Sequence, residues 1–317
     1  MTRLYRIFAW TVVTLTFGFM LNAYLTYWRE WPGATSLFGG DADARALVQL
    51  GIYIACVVGS AAFVLATSGR GLRTDSQTMT GLAAYVARAA FWIVFFVGLA
   101  DATISFLRVE GLLDGIVGEE LGKALGRNQF RGPYVHGPLV LLGLAVAAFS
   151  RSLGFIWLAL LVVMAELAIV ITRFVFSYEQ AFMGDLVRFW YAGLFLFSSA
   201  YTLIEEGHVR VDVLYSGFSS RAKGLSNALG SLLLGMTLCA VILVLGMGSK
   251  SSIIISPILA LEITQAGFGM YVKYMMAGFL GVFAVSMMVQ FAAYLLESIA
   301  DYRDEPGGRE VAPEIAH

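Results

Sequence analysis

The chain has 317 residues, of which 59% are hydrophobic and only 14% are charged. This composition is typical of a membrane protein and excludes an ordinary soluble domain. The formal net charge of -1, with no Lys/Arg cluster interleaved with aromatic residues, excludes a nucleic-acid-binding surface. We therefore expect a membrane-embedded chain that is surrounded by lipid and has no nucleic-acid partner.

Long apolar segments follow one another through the first third of the chain. A spanning helix needs about 20 apolar residues, and the segments 4–28, 46–67 and 83–106 reach that length. Arg3 and Arg6 give the first segment the basic flank of a signal peptide, but its apolar run is too long and lacks a convincing cleavage site. We interpret this segment as a retained membrane anchor.

The segment 109–127 has a different pattern, because its apolar residues recur every three or four positions. Glu110, Asp114, Glu119 and Lys123 fall on the opposite face of a helix with this period. The pattern predicts an amphipathic helix that lies at the membrane surface.

The apolar content of 134–173 exceeds one span and is interrupted only by SRSLG at 150–154. We predict two spans divided at Arg151, with one long tilted helix as the alternative. Three further spans follow at 186–204, 225–247 and 270–296. The total of about eight predicts an all-α, polytopic integral membrane protein. We expect a partner and lipid to share the outward faces of the last two spans.

A dense group of charged side chains, EEGHVRVDVLY at 205–215, follows the predicted span that ends at residue 204. Glu205 and Glu206 lie at the negative end of the helix dipole, which is unfavourable by roughly 0.3–1 kcal/mol for each exposed, unpaired acid. We expect a cation from His208, Arg210 or another chain to compensate them. The residues alone leave three interpretations open: a solvated helix end, a contact with protein or lipid headgroups, and a metal site.

Two acidic residues lie well inside predicted spans. Asp101 occurs in FVGLADATISF and Glu166 occurs in VVMAELAIV. An ionised carboxylate at such a depth costs at least about 2.5 kcal/mol. We interpret both residues as structural acids, neutral or hydrogen-bonded, that face the helix bundle. A polar contact with a partner subunit and a role in cation passage are the alternatives.

The sequence GDLVRFWYAGLFLFSSAYTLIEEGHVRVDVLYSGFSSRAKG at 184–224 resembles the signature of the small membrane subunit of TRAP transporters, the DctQ family. An acidic-x-x-Arg pair, Asp185 and Arg188, opens the helix, and the Gly-His-Val-Arg-Val-Asp run from Gly207 to Asp212 follows it. The sequence YVKYMMAGF then opens the last predicted helix, in the family's order.

The resemblance covers about half of the chain and divides it into three parts. Residues 1–150 are an N-terminal extension of about four spanning helices that includes the amphipathic segment, as in longer variants of the family. Residues 151–302 are a DctQ-like four-helix membrane domain. Residues 303–317 are polar and are expected to form a disordered cytoplasmic tail.

The resemblance implies the small permease subunit of a tripartite ATP-independent periplasmic transporter in a bacterial inner membrane, with both termini in the cytoplasm. A periplasmic solute-binding protein captures an organic acid or similar solute, and a large membrane subunit moves it with a sodium gradient. The small subunit braces the scaffold of the large one. The resemblance implies no catalytic residue, metal or cofactor in this chain.

Other classes of membrane protein have features that this sequence lacks. A membrane enzyme would need a Gly-x-Ser-x-Gly or His-Glu-x-x-His motif, and neither occurs. A haem anchor would need paired axial ligands within the spans, whereas His136 and His208 lie at span ends. A self-sufficient secondary transporter, or an anchor subunit of another complex, is the alternative function.

Overall fold

The computed structural model describes residues 1–39, 43–151, 154–178, 180–204, 215–263 and 269–308. Within these residues the chain is entirely helical and contains no β-strand, which confirms the predicted all-α class. The helices are α1 Thr2–Trp28, α2 Ala44–Ala66, α3 Leu72–Val109, α4 Leu113–Val117, α5 Glu119–Leu125, α6 Asn128–Arg131, α7 Gly137–Phe149, α8 Phe155–Val175, α9 Met183–Ile204, α10 Ser220–Gly230, α11 Thr237–Gly246, α12 Ile255–Leu259 and α13 Lys273–Tyr302.

Seven helical segments of the described chain are long and apolar enough to cross a membrane. They are α1, α2, α3, α6 to α7 (Asn128–Phe149), α8, α10 to α11 (Ser220–Gly246) and α13. The region 134–173 forms two helices, α7 and α8, as predicted. The predicted span 186–204 is helical as α9, but this 22-residue helix has Asp185 and Arg188 in its first two turns and is not among the seven.

The prediction of one continuous amphipathic helix over 109–127 is wrong. The long helix α3 continues to Val109, and two short helices, α4 and α5, follow it. They are separated at Gly118, whose φ of 86° lies in the left-handed region that favours glycine. Leu113 and Leu125 are buried, whereas Ile116 is exposed, so the apolar residues do not form one outward stripe.

The described chain separates into two compact units. The first unit contains residues 1–82, 206–240 and 287–317, and the second contains residues 83–205 and 241–286. Each unit draws residues from both sides of position 150, so the domain boundary predicted there is not a boundary between compact units.

Buried ion pairs connect the helices of the first unit. Arg6 of α1 and Asp75 of α3 are both fully buried, with 2.7 Å between Nε and Oδ2. Arg73, also in α3, donates to Glu297 at 2.6 Å and to Asp301 at 2.8 Å, near the end of α13. The extension is therefore joined to the end of the last helix by charged groups.

The first residues of the predicted disordered tail make defined contacts. The carbonyl oxygen of Pro306 accepts a hydrogen bond from Arg73 at 3.0 Å, and Asp304 pairs with Arg221 at 2.6 Å. Residues 303–308 thus depart from the predicted disorder, while residues 309–317 lie outside the described chain.

The core of the second unit consists of large side chains from α3, α9 and the first half of α13. Phe189, Trp190 and Phe197 of α9 are buried against Val94 of α3 and Phe279 of α13. A Cβ atom at Gly98 would lie 2.3 Å from Nε1 of Trp190. A glycine at this position therefore permits the close approach of the indole ring to α3.

The spanning helices differ widely in how much of their surface is buried. In α13, 72% of the apolar stretch is buried, so this helix has less outward surface than was expected for 270–296. The corresponding fractions are 33% for Ser220–Gly246, 17% for α2 and 11% for α8. Of the seven candidate spans, α8 is the least buried.

Candidate functional site

Asp101 is at the centre of a fully buried polar cluster in the second unit. Its Oδ1 accepts hydrogen bonds from Nη1 of Arg131 at 2.9 Å and from Nε2 of His136 at 3.0 Å. Its Oδ2 accepts the backbone N–H of Tyr271 at 2.7 Å. Three donors from two distant segments therefore hold this carboxylate in place.

Arg131 is fully buried and makes more contacts than the ion pair alone. Its Nε donates to the carbonyl oxygen of Leu125 at 2.8 Å, and its guanidinium carbon lies 4.0 Å from the ring centroid of Tyr271. Cation–π contact and charge-assisted hydrogen bonds compensate for the desolvation of this guanidinium.

His136 connects the carboxylate to a second tyrosine. Its Nδ1 lies 2.7 Å from the hydroxyl of Tyr274. When Nε2 carries the proton and donates it in a hydrogen bond to Asp101, Nδ1 is unprotonated and accepts a hydrogen bond from the Tyr274 hydroxyl. Arg131 and His136 are five residues apart: Arg131 immediately precedes the π-helical segment Gly132–His136, which contains Pro133, and His136 is its last residue. The wider turn allows both side chains to reach one carboxylate.

Tyr271 is held from several directions just before α13 begins. Its hydroxyl donates to the carbonyl oxygen of Gly126 at 2.7 Å and accepts from Nη1 of Arg108 at 2.5 Å. The Arg108 guanidinium also lies 5.0 Å from the ring centroid, so two arginines contact one aromatic ring.

Asp185, the acid of the predicted acidic-x-x-Arg pair, contacts the same segment. It is buried, and its Oδ2 accepts the backbone N–H of Met270 at 3.1 Å. Arg188 lies 3.4 Å from Oδ1 of Asp185, but its side chain is 75% exposed. The two residues of the pair therefore have different environments, and only the acid reaches the interior.

Two carboxylates from different helices thus accept hydrogen bonds from the backbone N–H groups of two consecutive residues. Asp185 binds the N–H of Met270, and Asp101 binds that of Tyr271. Neither N–H belongs to the ladder of α13, and both residues are buried, so each bond to a carboxylate satisfies a backbone donor in the interior. This arrangement fixes the position of the chain where the last helix begins.

Glu166 has the opposite environment. It is exposed on α8, among the exposed side chains of Val163, Met164, Leu167 and Val170. Within the described chain it has no hydrogen-bond or ion-pair partner. The interpretation that Glu166 faces the helix bundle is wrong, because its side chain is exposed on the outer face of α8, within an otherwise apolar span.

The comparison with protein families matches residues 159–301 to the DctQ component of tripartite ATP-independent periplasmic transporters. The matched segment is similar to a DctQ domain and covers slightly less than half of the 317-residue chain. No curated protein and no solved structure matches the chain. The additional helices before the DctQ domain fit the longer variants of the TRAP small membrane subunit. The family functions together with a large membrane subunit and a solute-binding protein.

The limits of the DctQ domain show that the polar cluster joins two parts of the sequence. Asp101, Arg131 and His136 precede the domain, whereas Asp185, Tyr271 and Tyr274 belong to it. The side chains of the extension thus contact the point where the last helix of the DctQ domain begins.

The charged run of the DctQ signature lies outside the described residues. Glu205, Glu206, Gly207, His208, Arg210 and Asp212 all fall within 205–214. Their predicted role as a structural or partner-binding motif therefore stays a prediction.

Sequence reasoning missed Arg131, His136 and the two tyrosines. The sequence RGPYVHGP at 131–138 contained a signal, because it places an arginine and a histidine next to two Gly-Pro pairs at the start of an apolar span. Pro133 interrupts the regular backbone hydrogen bonds of a helix, and polar residues beside such an interruption are candidates for buried contacts.

Proposed function

We propose that the chain is the small permease subunit of a TRAP transporter and braces the scaffold of the large membrane subunit. In this role it supports sodium-driven uptake of an organic acid or a similar solute that a periplasmic binding protein delivers. The DctQ match over 159–301 supports this proposal. Sodium coupling belongs to the large subunit, and this chain is not an enzyme and carries no cofactor.

The exposed carboxylate of Glu166 is the observation that supports a partner within the membrane. An acid that faces hydrocarbon costs at least about 2.5 kcal/mol, and a hydrogen-bond donor from a neighbouring protein removes much of that cost. The apolar side chains around Glu166 are exposed on a helix of which only 11% is buried. Helix α8 is therefore our candidate for the face that binds the large subunit.

The extension has a positioning role in this proposal. Asp101, Arg131 and His136 hold the beginning of α13, a helix that is itself mostly buried. A firmly positioned α13 gives the DctQ domain a rigid interior against which α8 is presented. The extension thus makes the brace stiffer without contacting the solute.

We place the chain in the bacterial inner membrane with both termini in the cytoplasm, and α9 is then the eighth span. Its polar residues Asp185 and Arg188 lie in its first two turns, which leaves an apolar remainder. Reporter fusions test this orientation. Fusions after Arg6, Thr67, Arg151 and Arg221 should report the cytoplasm, and fusions near Asp41, Asn128 and Ser256 the periplasm. A periplasmic signal at Arg151 with a cytoplasmic signal at Arg221 would contradict the division of 134–173 into two spans.

The charged run 205–212 is proposed to organise the turn after α9. In this proposal Arg210 compensates Glu205 or Glu206, and His208 and Asp212 shape the connection. Arg210→Ala and Asp212→Ala should each reduce uptake and weaken the association of the subunits, while circular dichroism of the isolated chain is unchanged. A chelator should have no effect. Wild-type uptake and complex yield in both variants would mean that the run is only a solvated helix end.

The experiment that tests the proposed function is co-expression with the large subunit, followed by purification and uptake in proteoliposomes. We expect a stoichiometric complex, uptake only when the binding protein and both membrane subunits are present, and no uptake by this chain alone. A transport-active homo-oligomer of the chain would instead support the alternative, a self-sufficient secondary transporter.

A further inference from the structure

The first compact unit contains a cavity of about 460 Å³ where α1 ends and α2 begins. Cavities of roughly 300–1,000 Å³ are typical of small-molecule sites in proteins. The residues that line this one are Tyr27, Trp28, Arg29, Glu30, Trp31 and Arg45. They carry two guanidinium groups, one carboxylate and three aromatic side chains, and all three charged residues are exposed. A molecule from outside the chain can therefore reach them.

The fully buried side chain of Gln49, in α2, fixes the backbone around this cavity. Its Oε1 accepts the backbone N–H of Gly33 at 2.8 Å, and its Nε2 donates to Oγ1 of Thr26, in α1, at 2.9 Å. The backbone N–H of Trp31 donates to the carbonyl oxygen of Leu25 at 3.1 Å. The segment that follows α1 therefore has a defined path against both helices.

Glu30 has a backbone conformation that is uncommon for a glutamate. Its φ of 56° lies in the left-handed region that favours glycine. Other residues persist in this region where the surrounding structure holds them, and such positions are concentrated at binding sites. Glu30 also has an interaction within the chain, but a carboxylate has about four acceptor positions. It can therefore accept a further hydrogen bond from a ligand in the cavity.

The cavity lies where two spanning helices leave the hydrocarbon. Both α1 and α2 are long and apolar enough to cross a membrane, and the cavity is at the end of one and the start of the next. Trp28 is 42% exposed and stacks on the exposed ring of Tyr24, with 6.2 Å between the ring centroids. Tryptophan and tyrosine are typical of the headgroup region of a bilayer. Lipid headgroups are therefore the molecules that surround this cavity.

We propose that this cavity binds a phospholipid headgroup that carries both a phosphate and an ammonium group, as phosphatidylethanolamine does. Within the described chain, neither the Arg29 nor the Arg45 guanidinium has a hydrogen-bond or ion-pair partner. Guanidinium groups bind phosphate oxygens with charge-assisted hydrogen bonds. Glu30 accepts a hydrogen bond from the ammonium group, and tryptophan rings also attract a cation. In the orientation proposed above, the site lies in the periplasmic leaflet.

Binding of phosphatidylethanolamine, labelled on an acyl chain, to the purified full-length chain in detergent tests this site. Phosphatidylglycerol is the reference lipid, because it has the phosphate but no ammonium group. We expect the wild-type chain to bind phosphatidylethanolamine about fivefold more tightly, as for one exposed ion pair. Glu30→Gln removes the charge and should abolish this preference. Arg29→Gln and Arg45→Gln should each weaken the binding of both lipids by about fivefold.

Arg151→Gln is the matched control, because Arg151 is an exposed arginine just beyond the end of another spanning segment and does not line the cavity. It should leave the binding of both lipids unchanged. Equal effects of Arg45→Gln and Arg151→Gln, or a lipid preference that survives Glu30→Gln, would overturn the proposal. Displacement of the labelled lipid by millimolar soluble phosphoethanolamine would identify a free phosphate–ammonium compound as the ligand and would overturn the assignment to a lipid.

Discussion

Asp101 and Glu166 are both acidic residues within long apolar helices, yet their environments in the structure are opposite. Asp101 is fully buried and accepts hydrogen bonds from Arg131, His136 and the backbone of Tyr271. Glu166 is exposed on the least buried of the spanning helices and has no such donor within the described chain. The cost of desolvating the carboxylate of Asp101 is compensated by donors within the chain. For Glu166, a donor would have to come from a neighbouring molecule.

This difference teaches that depth in the membrane does not by itself define the role of an acid. An acid with a complete set of donors stabilises the fold, and its removal leaves other buried groups without partners. An acid on an outward apolar face stabilises nothing within the isolated chain. We infer that the surface around such an acid is an interface.

The largest effect should follow from Asp101→Ala. The substitution leaves the Arg131 guanidinium buried without its counter-ion, which typically costs about 3–5 kcal/mol of unfolding free energy. A strongly lowered midpoint of thermal unfolding in detergent is the expected result. Combining Asp101→Leu with Arg131→Met removes both charges and should recover part of the loss. If Asp101→Ala unfolds at the same temperature as the wild-type chain, the cluster contributes little to the stability of the fold.

A smaller effect is expected when Asp185 is replaced by alanine. The backbone N–H of Met270 loses a buried acceptor, at a cost of about 1–3 kcal/mol. Arg188→Ala is the matched control, because this side chain is 75% exposed and its ion pair contributes about 0–1 kcal/mol. Equal melting temperatures for the two variants would remove the distinction between the inner and outer members of the pair.

The removal of one neutral hydrogen bond from the cluster should have a still smaller effect. Tyr274→Phe keeps the ring and deletes the hydroxyl that lies 2.7 Å from Nδ1 of His136. We expect a loss of about 0.5–1.5 kcal/mol in thermal or denaturant unfolding. A loss as large as that of Asp101→Ala would instead place the tyrosine, rather than the carboxylate, at the centre of the cluster.

Glu166→Leu should leave the stability of the isolated chain unchanged or slightly higher, within about 0.5 kcal/mol. The reason is that Glu166 has no partner to lose within the described chain, and leucine suits an apolar surface. Its association with the large subunit should weaken, whereas Met164→Leu on the same face should leave both quantities unchanged. A destabilised Glu166→Leu monomer would assign this acid a structural role after all.

The apolar runs of the sequence were sufficient to predict the helices, because membrane thickness sets a minimum length that few soluble elements reach. They did not predict which face of each helix is inward. Nearly every residue around Glu166 is apolar, so periodicity carries no information about orientation there. The break between α4 and α5 depends on the left-handed φ of Gly118, which the spacing of the apolar residues does not indicate.

The polar cluster was only half predictable for a related reason. Asp101 stood out as an acid within an apolar segment, but its partners are separated from it by 30 residues or more along the chain. The proximity of Arg131, His136 and Tyr271 is a product of helix packing, and a single sequence does not contain it. The DctQ signature identified Asp185 but did not predict that its carboxylate accepts a hydrogen bond from the backbone N–H of Met270.

Site-specific photo-crosslinking in the assembled transporter tests the central claim most directly. A crosslinker at Val163, which is 61% exposed beside Glu166, should give a covalent adduct with the large subunit. The same crosslinker at Val58 of α2, which is 60% exposed on a face without an acid, should react with lipid. An adduct with lipid alone at Val163, in a complex that still transports solute, would contradict the assignment of α8 as the face that binds the large subunit.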